Sequence, residues 1–334
     1  MVSKYYFIKK KPLVDIGILS GQKIGMIIDL VPDFNNFFSG VFGGSKLYGN
    51  DWNLNGEVDS RFENLWGAME RITFKWKNID STNQSFKISL YRPHLLITGV
   101  GLKGEYNYQI VNNYFTETQF GIDIEFFNNY YGSFYVGYKQ GDITSTEQGL
   151  RKNYFSTNYK ALKFVFEHNS FNRVLLPDKG HKLDIEFDIG EDKLINELYV
   201  KTKLNFIGFS NFFHKINFCL KSYNDLIKPF QGKIGLSRQI SFGGVNSFRG
   251  FNDNQFKSSA LSVQSLEIHY TLDKAFKIIT FIDCGFAKDY YPKYSFGFGL
   301  SKISKTALID VQYAVPLGSA IQNGKVHLKW VTRL

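Results

Sequence analysis

Hydrophobic and polar residues alternate one for one along most of this chain. In 71–77, Ile72, Phe74 and Trp76 stand opposite Arg71, Thr73, Lys75 and Lys77; in 182–189, Leu183, Ile185, Phe187 and Ile189 stand opposite Lys182, Asp184, Glu186 and Asp188. Near the C-terminus Tyr294, Phe296, Phe298 and Leu300 oppose Ser295, Gly297, Gly299 and Ser301. Ala307, Ile309, Val311, Tyr313 and Val315 then oppose Leu308, Asp310, Gln312 and Ala314, and Val326, Leu328 and Trp330 oppose Lys325, His327 and Lys329. Successive side chains of a strand point to opposite faces, so each segment reads as a strand with one apolar and one polar face. The pattern predicts sixteen strands, near 37–44, 51–59, 66–77, 84–92, 96–108, 111–127, 129–139, 153–167, 180–190, 195–208, 211–222, 259–271, 275–284, 293–303, 306–315 and 324–332.

Short connections such as Gly208-Phe209-Ser210-Asn211 are expected to alternate with longer ones. That is the arrangement of tight turns on one side of a membrane barrel and larger loops on the other. The longest irregular stretch, 223–258, interrupts the rhythm between the eleventh and twelfth strands, and a connection of that length is usually functional or disordered. Residues 1–36 fit neither a strand pair of the barrel nor a linker; their apolar runs at 13–19 and 24–31 read as the remnant of a small periplasmic domain, leaving 37–334 as the barrel.

Composition sharpens the choice of class. The chain is 43% apolar and 17% aromatic, with 33 Phe and 20 Tyr, yet its mean hydropathy is only -0.21 because polar residues are interleaved throughout. Aromatics favour pleated surfaces over helices. No segment offers the ~18 consecutive apolar residues of a membrane-spanning helix. Alternation alone is shared by a soluble sandwich, but an aromatic surplus on the apolar face and an even, unbroken series of strands favour a closed transmembrane barrel. Met1–Lys11 is basic and aromatic without the apolar core of a signal peptide, so a mature or truncated product is expected.

The net charge of +10 is spread along the strands, with lysines and aromatics on opposite faces, which argues for a wet lumen and against a nucleic-acid surface. Cys219 and Cys284 are far apart and read as isolated apolar fillers. His94, His168, His181, His214, His269 and His327 show no metal-ligand spacing, and Gly297-Phe298-Gly299 lies within a strand rather than in a phosphate loop. No enzyme activity, cofactor or metal is expected.

Within the long connection stands Gly243-Gly244-Val245-Asn246-Ser247-Phe248-Arg249-Gly250-Phe251. A glycine pair followed by an arginine between an aromatic and a glycine suggests an unusual backbone that delivers one guanidinium to a fixed place. Downstream, Ser265-Leu266-Glu267-Ile268 puts Glu267 on the polar face of the twelfth strand, and Phe281-Ile282-Asp283-Cys284-Gly285 puts Asp283 at the end of the thirteenth. Residue chemistry leaves two readings open. Either the connection folds into the lumen and Arg249 docks on both acids through its planar fork, or Arg249 is a solvated loop arginine and the acids are ordinary lumen residues.

The string GGVNSFRGF resembles the signature of the sixth outer loop in the BamA and TamA family of outer-membrane assembly factors. That family also holds two-partner secretion transporters and the import barrels of mitochondria and plastids. The S-L-E and F-x-D-x-G motifs follow in the family's order, and the resemblance implies that the Arg249 side chain meets Glu267 and Asp283 inside the barrel. Arg92-Pro93-His94-Leu95-Leu96, Leu176-Pro177-Asp178-Lys179-Gly180, and Ile309–Gly318 with Gly324-Lys325-Val326-His327 are similar to further family segments, and the form of strands two to five is most like members from Bacteroidota. Phe248 stands where the family usually has valine or isoleucine, Leu334 where many such barrels end in an aromatic, and only 1–36 remains to represent the periplasmic POTRA domains.

The resemblance implies insertion of client β-barrels into the outer membrane, with membrane lipids, unfolded barrel clients and accessory lipoproteins as partners. Alternatives are a polypeptide-secretion pore, a passive channel, or a barrel anchoring a missing N-terminal domain. The physical route would be a weak seam between the first and last strands, loosened by Gly40, Gly43 and Gly44 in the one and Gly324 at the start of the other.

Overall fold

The computed structural model describes residues 13–19, 23–29, 34, 36–46, 52–80, 82–93, 100–129, 131–173, 176–213, 215–244, 247–273, 275–304 and 307–333. Twenty strands account for nearly all of its regular structure. A two-stranded hairpin, β1 (Leu13–Leu19) and β2 (Lys23–Asp29), precedes the barrel, and the run 13–19 forms its first strand.

Sixteen strands close one antiparallel barrel: β3 (Phe37–Lys46), β4 (Trp52–Glu63), β5 (Arg71–Asp80), β6 (Asn83–Arg92), β7 (Gly101–Val111), β8 (Phe115–Asn129), β9 (Gly132–Ser145), β10 (Thr157–Asn169), β11 (Gly180–Asp192), β12 (Glu197–Phe213), β13 (Ile216–Pro229), β16 (Ala260–Thr271), β17 (Phe276–Ala287), β18 (Tyr290–Ile303), β19 (Ala307–Pro316) and β20 (Lys325–Arg333). Each strand pairs with its neighbour in the chain, and β20 pairs with β3 to complete the ring. The connection between β13 and β16 carries its own small pair, β14 (Ile240–Phe242) with β15 (Phe256–Ser258). No helix among the described residues is long and apolar enough to cross a membrane.

The outer wall is apolar and exposed. Leu266, Ile282, Phe298 and Leu328 lie at 52%, 59%, 56% and 50% exposure beside Ile268, Phe296, Leu300 and Ile309. A continuous apolar belt of this extent is costly in water and at home in hydrocarbon. The inner wall carries charges in pairs: Lys163 reaches Asp123 at 2.7 Å and Glu105 at 3.5 Å, Lys103 reaches Glu105 at 2.8 Å, and Lys139 bridges Glu186 at 2.8 Å and Asp188. Alternation along each strand thus separates lipid from a polar interior.

Three sequence expectations are corrected. Gly208–Asn211 form no turn; β12 runs through them to Phe213, paired Gly208↔Leu220 and Asn211↔Asn217, with an irregularity at its end. The connections do not alternate in length either, since β10 and β11 are separated by ten residues at the end where β3 begins and β20 ends, and β17 and β18 by two at the other. The long connection spans 230–259 rather than 223–258, because β13 continues to Pro229. The reason is a local exchange of faces: Ser222 and Asn224 point outward while Tyr223 and Ile227 point inward, so the greasy-out pattern fails there.

That exchange has a structural cause. Near the end opposite the termini, the inner wall turns apolar, and Val111, Phe115, Ile143, Tyr159, Ala161, Tyr199 and Ile227 form a buried cluster with Ile234 of the long connection. Phe242, Phe248 and Phe256 of the same connection pack on Leu261 and Val263 of β16. The 230–259 loop is therefore folded inside the barrel, and the wall facing it is built to receive it.

Candidate functional site

Arg249 is 4% exposed inside the lumen, and the structure brings it together with Glu267 and Asp283, at 1% each. Its Nε and Nη2 donate to Asp283 Oδ2 and Oδ1 at 2.8 and 2.5 Å, the paired geometry a planar fork allows. Nη1 meets Glu267 Oε1 at 2.7 Å and Gln312 Oε1 at 3.0 Å, and Nη2 also donates to Ser265 Oγ at 2.6 Å. All five guanidinium protons thus have acceptors, on β16, β17 and β19. The ring of Phe281 lies 3.5 Å beneath the guanidinium carbon, and cation–π attraction strengthens when water is excluded. Asp283 sits within β17, four residues before its end, rather than at the strand end that the alternation suggested.

The loop backbone is shaped to present this side chain. Gly243 and Gly244 have φ of 124° and 91°, and a Cβ on Gly243 would lie 2.3 Å from the Asn252 carbonyl oxygen, so a side chain is strained in this turn. Gly244 and Phe248 exchange backbone hydrogen bonds, which closes a tight ring just before Arg249; Val245 and Asn246, between them, lie outside the described residues. Phe248 is fully enclosed against Phe251, centroids 4.4 Å apart, and against Phe242. Gly285 on β17 makes room for it: a Cβ there would meet the Phe248 ring at 2.6 Å. Gly250 follows with φ of 86°.

Several contributing residues escaped the sequence reading. Ser265 and Gln312 were legible in principle, since both share strand parity with residues that face the lumen. Arg238 was not. It lies upstream in the same loop, with Nε 3.0 Å from Asp192 Oδ2 and its guanidinium carbon 3.4 Å from the Tyr159 ring centre and 4.9 Å from that of Tyr199. Asp192 is held in turn by Thr157 Oγ1 at 2.7 Å, and Ser237 donates to the Phe155 carbonyl. This second clamp fastens the loop to β10, β11 and β12, on a different sector of the wall from Arg249. Arg238→Ala is expected to cost about 2–3 kcal/mol, because it strands a buried carboxylate. Hydrogen exchange should report this as faster exchange over 233–242 while amides of β16 and β17 keep their protection.

The seam is short. β20 and β3 pair over Val331↔Ser39, Thr332↔Phe38 and Arg333↔Phe37 among the described residues, with Ser39 Oγ donating to the Trp330 carbonyl at 2.5 Å. The glycines expected there lie elsewhere. Gly40, Gly43 and Gly44 follow the paired stretch and stand opposite Val58, Asn55 and Leu54 of β4. Gly324 precedes β20 at the far end of that strand, against the Tyr313 ring. The join is limited by where the two strands part, not by glycines within its ladder. His94, Leu95 and Leu96 lie outside the described residues.

Cys219 is not an isolated filler. It faces the lumen directly opposite Glu267, with His269 beside them, whereas Cys284 lies on the outer wall next to Tyr294.

A closed sixteen-stranded wall with an apolar exterior, a charged interior and a loop arginine fastened inside defines a transmembrane β-barrel with an internally locked loop. The Omp85 superfamily domain matches residues 64–331, and the chain belongs to that superfamily; the superfamily and the barrel together place it among bacterial outer-membrane β-barrels. Among solved structures, BamA from Haemophilus ducreyi lacking POTRA domains 1–3 superposes with a TM-score of 0.66 at 16% identity, over 99% of this chain and 76% of that one. CdiB from Acinetobacter baumannii gives 0.68 at 12% identity over 100% and 67%, and CdiB from Escherichia coli 0.65 at 13% over 100% and 69%. No curated protein matches the chain in sequence.

Proposed function

We propose that this protein inserts other β-barrels into the outer membrane by opening the β20–β3 seam and lending its free strand edges to a client. The observation that carries this reading is the three-pair seam. Its neighbours in the ring are joined over eight pairs (β19–β20) and ten (β3–β4). A net value of about 1 kcal/mol per hydrogen bond makes the seam worth only a few kcal/mol. Above it, β3 from Gly40 to Lys46 is paired on its β4 side alone among the described residues. An unpaired edge in a membrane demands partners, and an incoming strand supplies them by β-augmentation.

The doubly clamped loop supports insertion over export, since a polypeptide crossing the lumen would first have to displace 230–259 from both guanidinium sites. The β1–β2 hairpin would belong to a periplasmic part that receives clients, with accessory lipoproteins assisting. Reconstitution tests it: liposomes carrying the protein should fold a urea-denatured eight-stranded outer-membrane barrel several-fold faster than empty liposomes, read by gel mobility without heating. Equal rates would defeat the proposal, and protection of a secreted polypeptide inside the vesicles would favour export.

A further inference from the structure

From the geometry of β13 and β16 we infer that Cys219, Glu267 and His269 form a binding site for a zinc-like divalent transition metal on the lumen wall, directly beneath the Arg249 lock. Cys219 and Glu267 are partners across the two strands, and His269 lies two residues further along β16 on the same face. The thiol sulfur, a carboxylate oxygen and a ring nitrogen lie within 4.8 Å of one another, and the three residues are 0%, 1% and 5% exposed. Ligands on neighbouring strands are held by the ladder itself, so the set is preorganised to a degree that loop residues are not.

Oε2 of Glu267 and Nε2 of His269, the atoms that would face a metal, are hydrogen-bonded to each other. Arg249 and Lys221 both engage Glu267 Oε1, at 2.7 and 2.6 Å, while Oε2 receives His269 Nε2 at 2.7 Å. His269 Nδ1 is buried without a hydrogen-bond partner, and the ring is braced edge-on by Phe209. Coordination through Nε2 would move the ring proton to Nδ1. A metal replacing the Nε2···Oε2 hydrogen bond leaves Oε1 with its two cations, the bridging role that carboxylates commonly take beside metals.

The donor set fixes the class of ion. Magnesium and calcium want oxygen alone, whereas one sulfur, one nitrogen and one oxygen suit zinc and its neighbours. Metal–ligand lengths of about 2.0–2.3 Å put tetrahedral ligand atoms ~3.3–3.8 Å apart, which side-chain rotations reach without moving the strands. Binding releases the Cys219 thiol proton to solvent and leaves a fourth position open toward the lumen. Charge is tolerable: Arg249 and Lys221 are offset by Glu267 and Asp283, and the thiolate offsets half of a divalent ion. Occupancy would pin the carboxylate that receives Arg249 and so tie the loop lock to metal supply.

Cobalt titration of the detergent-folded, reduced protein tests this. Folded protein should take up about one equivalent of Co2+, with an intense near-ultraviolet thiolate-to-cobalt band that added Zn2+ abolishes. Cys219→Ser should lose the band and His269→Ala should weaken Co2+ binding at least tenfold, while Cys284→Ser keeps both; mobility on unheated gels verifies that each variant is folded. Folded wild-type protein with no saturable band overturns the site, as does a band that survives Cys219→Ser or depends on Cys284. Binding indifferent to His269 overturns the ligand assignment.

Discussion

Arg249→Ala should destabilise the folded loop by about 3–5 kcal/mol, the range for removing one partner of a buried ion pair and leaving its counter-charges enclosed. The magnitude follows from the acceptors left behind. Asp283 would lose both side-chain hydrogen bonds of the fork, keeping the long one from the Arg249 backbone amide at 3.3 Å, while Glu267 would retain Lys221 and His269. The damage should therefore concentrate on the β17 side. Arg249→Lys should recover only part of the loss, since an ammonium cannot span Asp283, Glu267, Ser265 and Gln312 at once. The measurement is chymotryptic cleavage within 240–256 together with the unfolding midpoint in detergent. A loop as protected in Arg249→Ala as in the native protein would show that the aromatic packing of Phe242, Phe248 and Phe256 holds it unaided. Asp283→Asn combined with Arg249→Ala should cost less than Arg249→Ala alone, because the second change removes the stranded charge.

The second large effect concerns the seam. Ser39 and Val331 are partners across it and both are turned inward, at 7% and 6% exposure. Cβ atoms of directly opposed residues in an antiparallel pair lie about 4.5–5.5 Å apart, close to what a disulfide spans. Ser39→Cys with Val331→Cys should oxidise to an internal disulfide and reduce client folding in liposomes at least tenfold, with recovery on adding reductant. Each single variant should be near native. Full activity of the oxidised double variant would mean that the seam does not need to part, and the proposed mechanism would fall even if insertion itself were confirmed.

Much of this is legible in the sequence. Period-two alternation marks the strands because lipid and water demand opposite side chains from the two faces of one wall. The reading failed where a third environment enters: Tyr223 and Ile227 face a loop rather than water, so β13 looked like irregular chain from Tyr223 onward. Turn placement failed at Gly208–Asn211 for a different reason, since small and polar residues mimic a turn that the ladder overrides. The meeting of Arg249 with Glu267 and Asp283 was suggested by motif order, not by residue chemistry, which left it open. Arg238 gave no warning, as Asp192, Tyr159 and Tyr199 all lie far upstream in the chain, and nothing local marks an arginine that will stack between tyrosines. The seam glycines misled because strand composition says nothing about register, and register decides which residues of β3 meet β20.

The loop's attachments are unequal around the ring. Enclosed guanidinium clamps fix it to β10–β12 and to β16–β19, whereas Lys77 of β5 holds Asp253 through a 2.8 Å pair with both side chains more than a quarter exposed. Ion pairs of that kind contribute about 0–1 kcal/mol. The barrel is consequently lopsided: the strands leading up to the seam form a rigid jamb, and those just after it, from β3 to β5, form the leaf that hangs most loosely. When the gap widens, it is the N-terminal leaf that should swing, and a newcomer would be measured against the stationary C-terminal post.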